Sequence, residues 1–378
     1  MNFLARLTLL LLVTSTIGHT ASIYNFGLLE RVGMAIGRRM IDFVDHREWA
    51  DRIKSDNGQY SLDFINKTHE RFLNEELLNS SLITGLFIDC VDPIEDADRL
   101  TNPLVAALRN PSVTTVGLWN VQFTDESATA VAEALRHNTT LTELNFFACK
   151  NIGPIGEAIG DLLMNASLTH LYLAFTPINT PSAVSIAGSL KDNHTLNSLC
   201  LFRNELNEEG ENIIAESFRN NTTLTDLHLT CSRTSEAGLD PIQFFLASNQ
   251  NLRRLTLRGI HMGDPENFPI HFGWIKHIAN MLKTNRSLLE LDIQCNFMND
   301  DSGSIILKSI QDHNTTLQCL RIAQYNDLNQ NTLDAIDSVV KRNKEAQSYN
   351  KEWSIFENFD ILFKSRFARG RDNSPPVL

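Results

Sequence analysis

Six cysteines and eleven histidines are the side chains best suited to metal binding, redox chemistry or nucleophilic catalysis, and their spacing serves none of these. Cys90, Cys149, Cys200, Cys231, Cys295 and Cys319 form neither a Cys-x-x-Cys pair nor a Cys/His metal spacing. The chain has no Walker phosphate loop, no Gly-x-Ser-x-Gly, no His-Glu-x-x-His and no dinucleotide fingerprint. His261, Asp264, His271, Trp274 and His277 crowd into one stretch, where unrelated loop histidines explain the pattern better than a metal or catalytic site. The expectation is a non-enzyme with no catalytic residues, metal or cofactor. Aromatic and arginine side chains hold more promise. Trp119, Phe147, Tyr172, Phe175 and Phe202 recur at near-regular intervals, joined by Arg203, Arg254 and Arg258. Clusters of that composition mark protein-binding hot spots.

The regular interval has a cause: the chain repeats. Segments starting at Leu141, Leu168, Leu196, Leu224 and Leu252 read LTELNF, LTHLYL, LNSLCL, LTDLHL and LRRLTL, with starts 27, 28, 28 and 28 residues apart. Each is apolar at its first, fourth and sixth places. Val113 begins VTTVGL, a slipped copy runs from Leu82 to Ile88, and Leu288 and Leu317 begin LLELDI and LQCLRI, giving nine units over residues 82–345. The ninth place often carries a strand-capping residue, as in Cys149, Asn204 and Asn296. A stretch with apolar residues at helical spacing follows, for instance Ala128, Val131, Ala132 and Leu135. An asparagine sits three places before most units, among them Asn138, Asn165, Asn193, Asn221, Asn285 and Asn314. Asparagine tolerates the left-handed conformation that ends helices, and its side chain can bond nearby backbone, so each unit reads strand, turn, helix, asparagine turn. One unit cannot bury its apolar face alone, whereas stacked units bury it against each other.

This unit resembles the ribonuclease-inhibitor-like leucine-rich repeat over residues 82–345. The resemblance implies an α/β horseshoe solenoid with parallel strands on the concave face and helices on the convex face. It implies protein binding only in general terms, because that class includes inhibitors, GTPase regulators, immune-receptor sensors and bacterial effector-like proteins.

Within each strand the first, fourth and sixth places point into the core. The second, third, fifth, seventh and eighth mostly face the concavity. Trp119, Phe147 and Phe202 fall on seventh places, Tyr172 on a fifth and Phe175 on an eighth. They are expected to form one aromatic patch, followed by a basic band of Arg203, Arg253, Arg254 and Arg258 and then by Glu290 and Asp292. The same register argues against disulfides. Cys200 and Cys231 lie three places apart on neighbouring strands, about 10 Å along the strand, beyond the roughly 7 Å a bridge allows. Six thiols are expected. The Asn-x-Ser/Thr sequons fall mostly on the asparagine turns and are read as structural rather than as glycan sites.

The flanks are read as caps: residues 23–81 as a helical N-terminal cap, 346–365 as a helical C-terminal cap and 366–378 as a disordered basic tail. Residues 1–22 carry one basic side chain, an apolar run and small residues, the three-part pattern of a secretory signal peptide. Export or secretion is the expectation, with a cytoplasmic chain as the alternative. The run is too short to insert stably in a membrane. A net charge of -12 argues against general nucleic-acid binding. The expected function is a monomeric scaffold binding another protein through its concave face. A regulator of an enzyme, of the nuclease-inhibitor or GTPase-activator kind, is the alternative.

Overall fold

The computed structural model describes residues 59–62, 84–89, 97–165, 167–219, 221–229, 245–246, 248–258, 272–324 and 326–346. All belong to one compact unit, Ile53–Ser348. Ten parallel strands lie side by side in chain order in one open sheet. They are β1 (Gln59–Leu62), β2 (Gly85–Asp89), β3 (Thr115–Trp119), β4 (Glu143–Phe147) and β5 (His170–Ala174). The sheet continues through β6 (Ser198–Phe202), β7 (Asp226–Leu229), β8 (Arg254–Leu257), β9 (Glu290–Asp292) and β10 (Cys319–Arg321). Helices alternate with them: α1 (Ala97–Arg109), α2 (Asp125–Arg136), α3 (Gly153–Met164), α4 (Thr180–Leu190), α5 (Glu208–Ser217), α6 (Phe272–Thr284), α7 (Asp300–Asp312) and α8 (Gln330–Ala346). This is the expected leucine-rich-repeat solenoid. Parallel strands need a crossover, and the crossovers from β2 to β7 and from β8 to β10 each carry a helix, with successive helices packed on one another within each run.

The register is the one the repeat imposes. Fourth-place residues Val116, Leu144, Leu171, Leu199 and Leu227 align across strands, as do sixth-place Leu118, Phe146, Leu173, Leu201 and Leu229. Nearly all are inaccessible to solvent and pack under the helices. Two expectations need correction at the N-terminal end. Leu86 pairs with Val116, so the first unit begins at Ile83 rather than Leu82. A one-residue slip would have turned its core residues to the other face. Residues 23–81 were expected to be helical, yet Gln59–Leu62 is a strand that extends the sheet by pairing with β2. The expected signal peptide, the rest of both caps, the basic tail, Cys90, Cys231 and the histidines of the 259–271 stretch lie outside the described residues.

Of the two properties expected of the turn asparagines, the side-chain bonds to nearby backbone are present and the left-handed conformation is not. Asn165 has φ of −73°, and none of the repeat asparagines is among the described residues with positive φ. The side chain instead closes the turn and staples one unit to the last. Asn193 Oδ1 accepts from the Thr195 and Leu196 amides at 3.0 and 2.8 Å, and its Nδ2 donates to the Leu163 carbonyl of the preceding unit at 2.8 Å. Asn138, Asn249, Asn285 and Asn314 repeat this pattern, each buried. Buried backbone groups that no regular element pairs are satisfied this way. Asn204 and Asn296 form a second ladder at the ninth place, each donating to two backbone carbonyls.

The left-handed conformation appears at the eighth place. Asn120, Ala148, Phe175, Arg203 and Cys295 all have φ between 52° and 59°. There the amide turns to the neighbouring strand's last carbonyl, as Phe175 does to Phe202 at 2.7 Å, and the strand ends. On the helical side, α3 and α4 approach closely because Gly156 and Gly160 face Ser182 and Ser185. A Cβ on Gly160 would lie 2.1 Å from Ser185 Oγ and 2.7 Å from its carbonyl oxygen.

Candidate functional site

The aromatic residues come together, but they cover one another more than expected. Along the seventh-place row, Trp119 pairs with Phe147, Phe147 with Ala174 and Ala174 with Phe202. Ala174 leaves a gap between two phenylalanines set two strands apart. Phe175, turned by its left-handed backbone, fills that gap. Its ring centroid is 5.2 Å from Phe147 and 5.3 Å from Phe202. Phe202 in turn meets His228 edge-on at 4.8 Å. Edge-to-face pairs of this kind add stability beyond burial.

The result is a column at the carboxyl-terminal edge of β4–β7 rather than an open patch. Phe147 and Phe202 keep only 8% of their surface, and Tyr172 keeps 3%. Tyr172 donates or accepts a 2.9 Å hydrogen bond with Ser198 Oγ, and burial pushes its phenol well above the usual range. Tyr172 is therefore buried, with its hydroxyl held by Ser198. Phe175, Trp119 and Arg203 remain half-buried and form the accessible part. Arg203 lies over the rings of Phe175 and Phe202, with its guanidinium carbon 5.7 and 5.9 Å from their centroids. That is cation–π range.

The expected basic band is not a basic surface. Arg254 is ion-paired with Asp226. Arg258 pairs with Asp292 at 2.5 Å and donates to Gln294 at 2.9 Å. Arg321, which the sequence reading passed over, sits 3.8 Å from Glu290 and 3.9 Å from Asp292. Asp226, Glu290 and Asp292 are each almost fully buried. Buried carboxylates need partners, and these arginines supply them. Alternating signs at the third and fifth places of β7–β10 could have shown this in the sequence, since directly opposed residues on parallel strands share one face. Arg253 turns elsewhere, into a polar hollow of about 480 Å³ at the other end of the strands, shared with Thr225, Gln250, Asn251, Arg286 and Ser287.

Cys149, Cys200, Cys295 and Cys319 are thiols. Burial raises the Cys200 thiol above its usual range, so it is a poor nucleophile. Among the described residues, no cluster of three or more His, Cys, Asp or Glu could hold a metal. Among them, no helix is long and apolar enough to cross a membrane.

Comparisons with known proteins agree with this architecture at one place. A model of the leucine-rich repeat matches residues 137–156, the stretch that carries Asn138, β4 and Cys149. No curated protein matches the chain. Among solved structures, a protein from Bacteroides fragilis is similar at 12% identity and a TM-score of 0.39, over 83% of this chain and 82% of that one. Actin-binding site 2 of leiomodin-1 is similar at 15% identity and a TM-score of 0.19, over 71% of this chain and 98% of that one. The parallel strands, the alternating helices, the repeat period and the matching repeat model together make the described residues a leucine-rich-repeat solenoid.

Proposed function

We propose that the protein is a binding scaffold of the ribonuclease-inhibitor-like kind, and that it docks another protein on the carboxyl-terminal rim of β3–β6. The observation that carries this reading is the half-exposed pair Phe175 and Arg203, set against each other on the rim. Phe175 and Arg203 occupy successive eighth places at φ of 52°. A left-handed backbone costs a bulky L-residue about 1–2 kcal/mol, and glycine or asparagine would avoid that cost. The same conformation recurs at Ala148 and Cys295, so it belongs to the repeat, and Phe175 and Arg203 use it to carry large side chains. Here it holds a ring and a guanidinium half-exposed on a rigid sheet, the arrangement found in interface hot spots. Glycine or asparagine at either position would relieve the backbone and leave the rim bare, at the cost of the ring contacts with Phe147 and Phe202 where Phe175 is replaced.

The test uses Phe175→Gly, in which the released backbone strain offsets part of the packing lost against Phe147 and Phe202, and a melting curve selects the temperature at which each variant is folded. Proteins captured by the parent chain are purified, and binding isotherms are measured for parent, Phe175→Gly and Trp119→Ala. The reading expects each variant to bind roughly 5- to 30-fold more weakly, the range of a hot-spot truncation. Parent-like affinity in both folded variants refutes it.

A further inference from the structure

Arg203, Arg254, Arg258 and Arg321 lie on the strands or at their carboxyl-terminal rim, away from the hollow that holds Arg253, and the last three are neutralised by buried carboxylates. Arg203 is the exception. It has no ion pair and no side-chain hydrogen bond within the described protein, and its only contacts of this class are the two ring faces. Glu205, two residues on, is exposed and makes no ion pair with it. A guanidinium has five N–H donors in its plane, and rings against its face leave that edge unused.

Arg203 is also partly withdrawn from water. Burial pulls its pKa below the ordinary arginine value, with no carboxylate among the causes that offset it. It stays charged at neutral pH, because arginine titrates far above that range. A half-desolvated cation with unused donors gains from an incoming anion more than a hydrated surface cation does. The chain's net charge of -12 is no barrier, since charges beyond about 8 Å are largely screened at physiological ionic strength.

Building on the scaffold reading above, we propose that Arg203 receives a carboxylate from the partner, presented beside an aromatic side chain that lies against Phe175. The partner segment is thus an acidic residue adjoining an aromatic one. A planar carboxylate matches the guanidinium edge bidentately, and an aromatic neighbour extends the column of Phe147, Phe175 and Phe202 by one ring.

The experiment titrates the full chain with a capped phenylalanyl-aspartate amide and with its isosteric phenylalanyl-asparagine twin. Binding is followed by NMR of ¹⁵N-labelled arginine side chains and of labelled phenylalanine rings. Ligands this small bind with dissociation constants on the order of millimolar. The aspartate peptide is expected to bind about 5- to 10-fold tighter than its twin at low salt, an advantage that shrinks as salt rises. Arg203→Gln removes the advantage and leaves the asparagine peptide's binding unchanged. Phe175→Gly weakens both peptides. Equal binding of the two peptides by the parent overturns the anion assignment, as does an aspartate preference that survives Arg203→Gln, and neither result touches the aromatic site. If neither peptide perturbs Arg203 or the rings, the proposal fails, and the isotherms with captured partner judge the scaffold reading separately.

Discussion

Replacing Asn193 by alanine should destabilise the solenoid far more than the loss of one ordinary cap. The side chain is 5% exposed and makes three bonds to backbone: two accepted from Thr195 and Leu196, one donated to Leu163. Alanine orphans two amides and a carbonyl in the seam between two units. Each buried unsatisfied group costs about 1–3 kcal/mol, and partial rehydration of the loosened turn recovers some of it, so the expected loss is about 3–5 kcal/mol. Asn165 is the internal control. It is exposed and only donates, at 3.2 Å to the Arg136 carbonyl and at 2.8 Å to the Asn138 carbonyl. Water can replace those bonds, so Asn165→Ala should cost no more than about 1 kcal/mol. Asn193→Gly separates the two explanations of the turn. A left-handed role would make glycine neutral or better, whereas the stapling role makes it at least as damaging as alanine. Denaturant unfolding by circular dichroism and tryptophan fluorescence supplies the numbers, with coincidence of the two probes checking for regional unfolding of the repeats. Equal losses at 193 and 165, or a harmless Asn193→Gly, would refute the stapling account.

Arg258→Ala leaves Asp292 buried with only the more distant Arg321, so it should cost about 2–4 kcal/mol in the same unfolding assay, where a surface cation would cost almost nothing. Gly160→Ala gains helix propensity but drives a Cβ into the Ser185 backbone, and a net loss of about 1–3 kcal/mol is expected on thermal or denaturant melting. Alkaline pH should weaken the fold: the Cys200 thiol titrates higher when folded than when unfolded, so the stability it gives is complete below the unfolded thiol's pKa and is lost as pH rises beyond it. Melting curves between pH 7.5 and 10, values chosen to span the thiol reference, should therefore fall less steeply for Cys200→Ala than for the parent. In folded protein expressed through a glycosylating secretory pathway, peptide mass spectrometry should find Asn138, Asn193, Asn221, Asn285 and Asn314 without glycans, because each is buried with its side chain bonded to backbone.

The fold was legible because a repeat overdetermines it. Leu144, Leu171 and Leu199 each announce a core position, and their spacing sets the register for every residue between them. The first unit slipped because Leu82 and Ile83 are both apolar and no upstream copy decides between them. The strand Gln59–Leu62 was hidden by its sequence, QYSL, which lacks the repeat's leucines. At the site, the pattern told which residues share a face but not how large side chains settle on it. Ala174 is the deciding residue: its small size lets Phe175 fold between Phe147 and Phe202, and so turns an expected exposed patch into a self-packed column. The arginine band failed for a related reason. Asp226, Glu290 and Asp292 were each visible, but read one strand at a time they did not show that Arg254 and Arg321 stand directly beside them, or that Arg258 reaches Asp292 from beyond the end of β8.

Site-specific photo-crosslinking tests the central claim most directly. A photoreactive phenylalanine analogue is placed at Phe175 on the rim or at Val184, an exposed apolar position on the helical side, and each chain is irradiated with the purified partner. The rim reading predicts a discrete adduct from position 175, absent from position 184 and suppressed by excess unlabelled parent chain. An adduct formed from 184 and not from 175 would contradict it and move the binding surface to the helices.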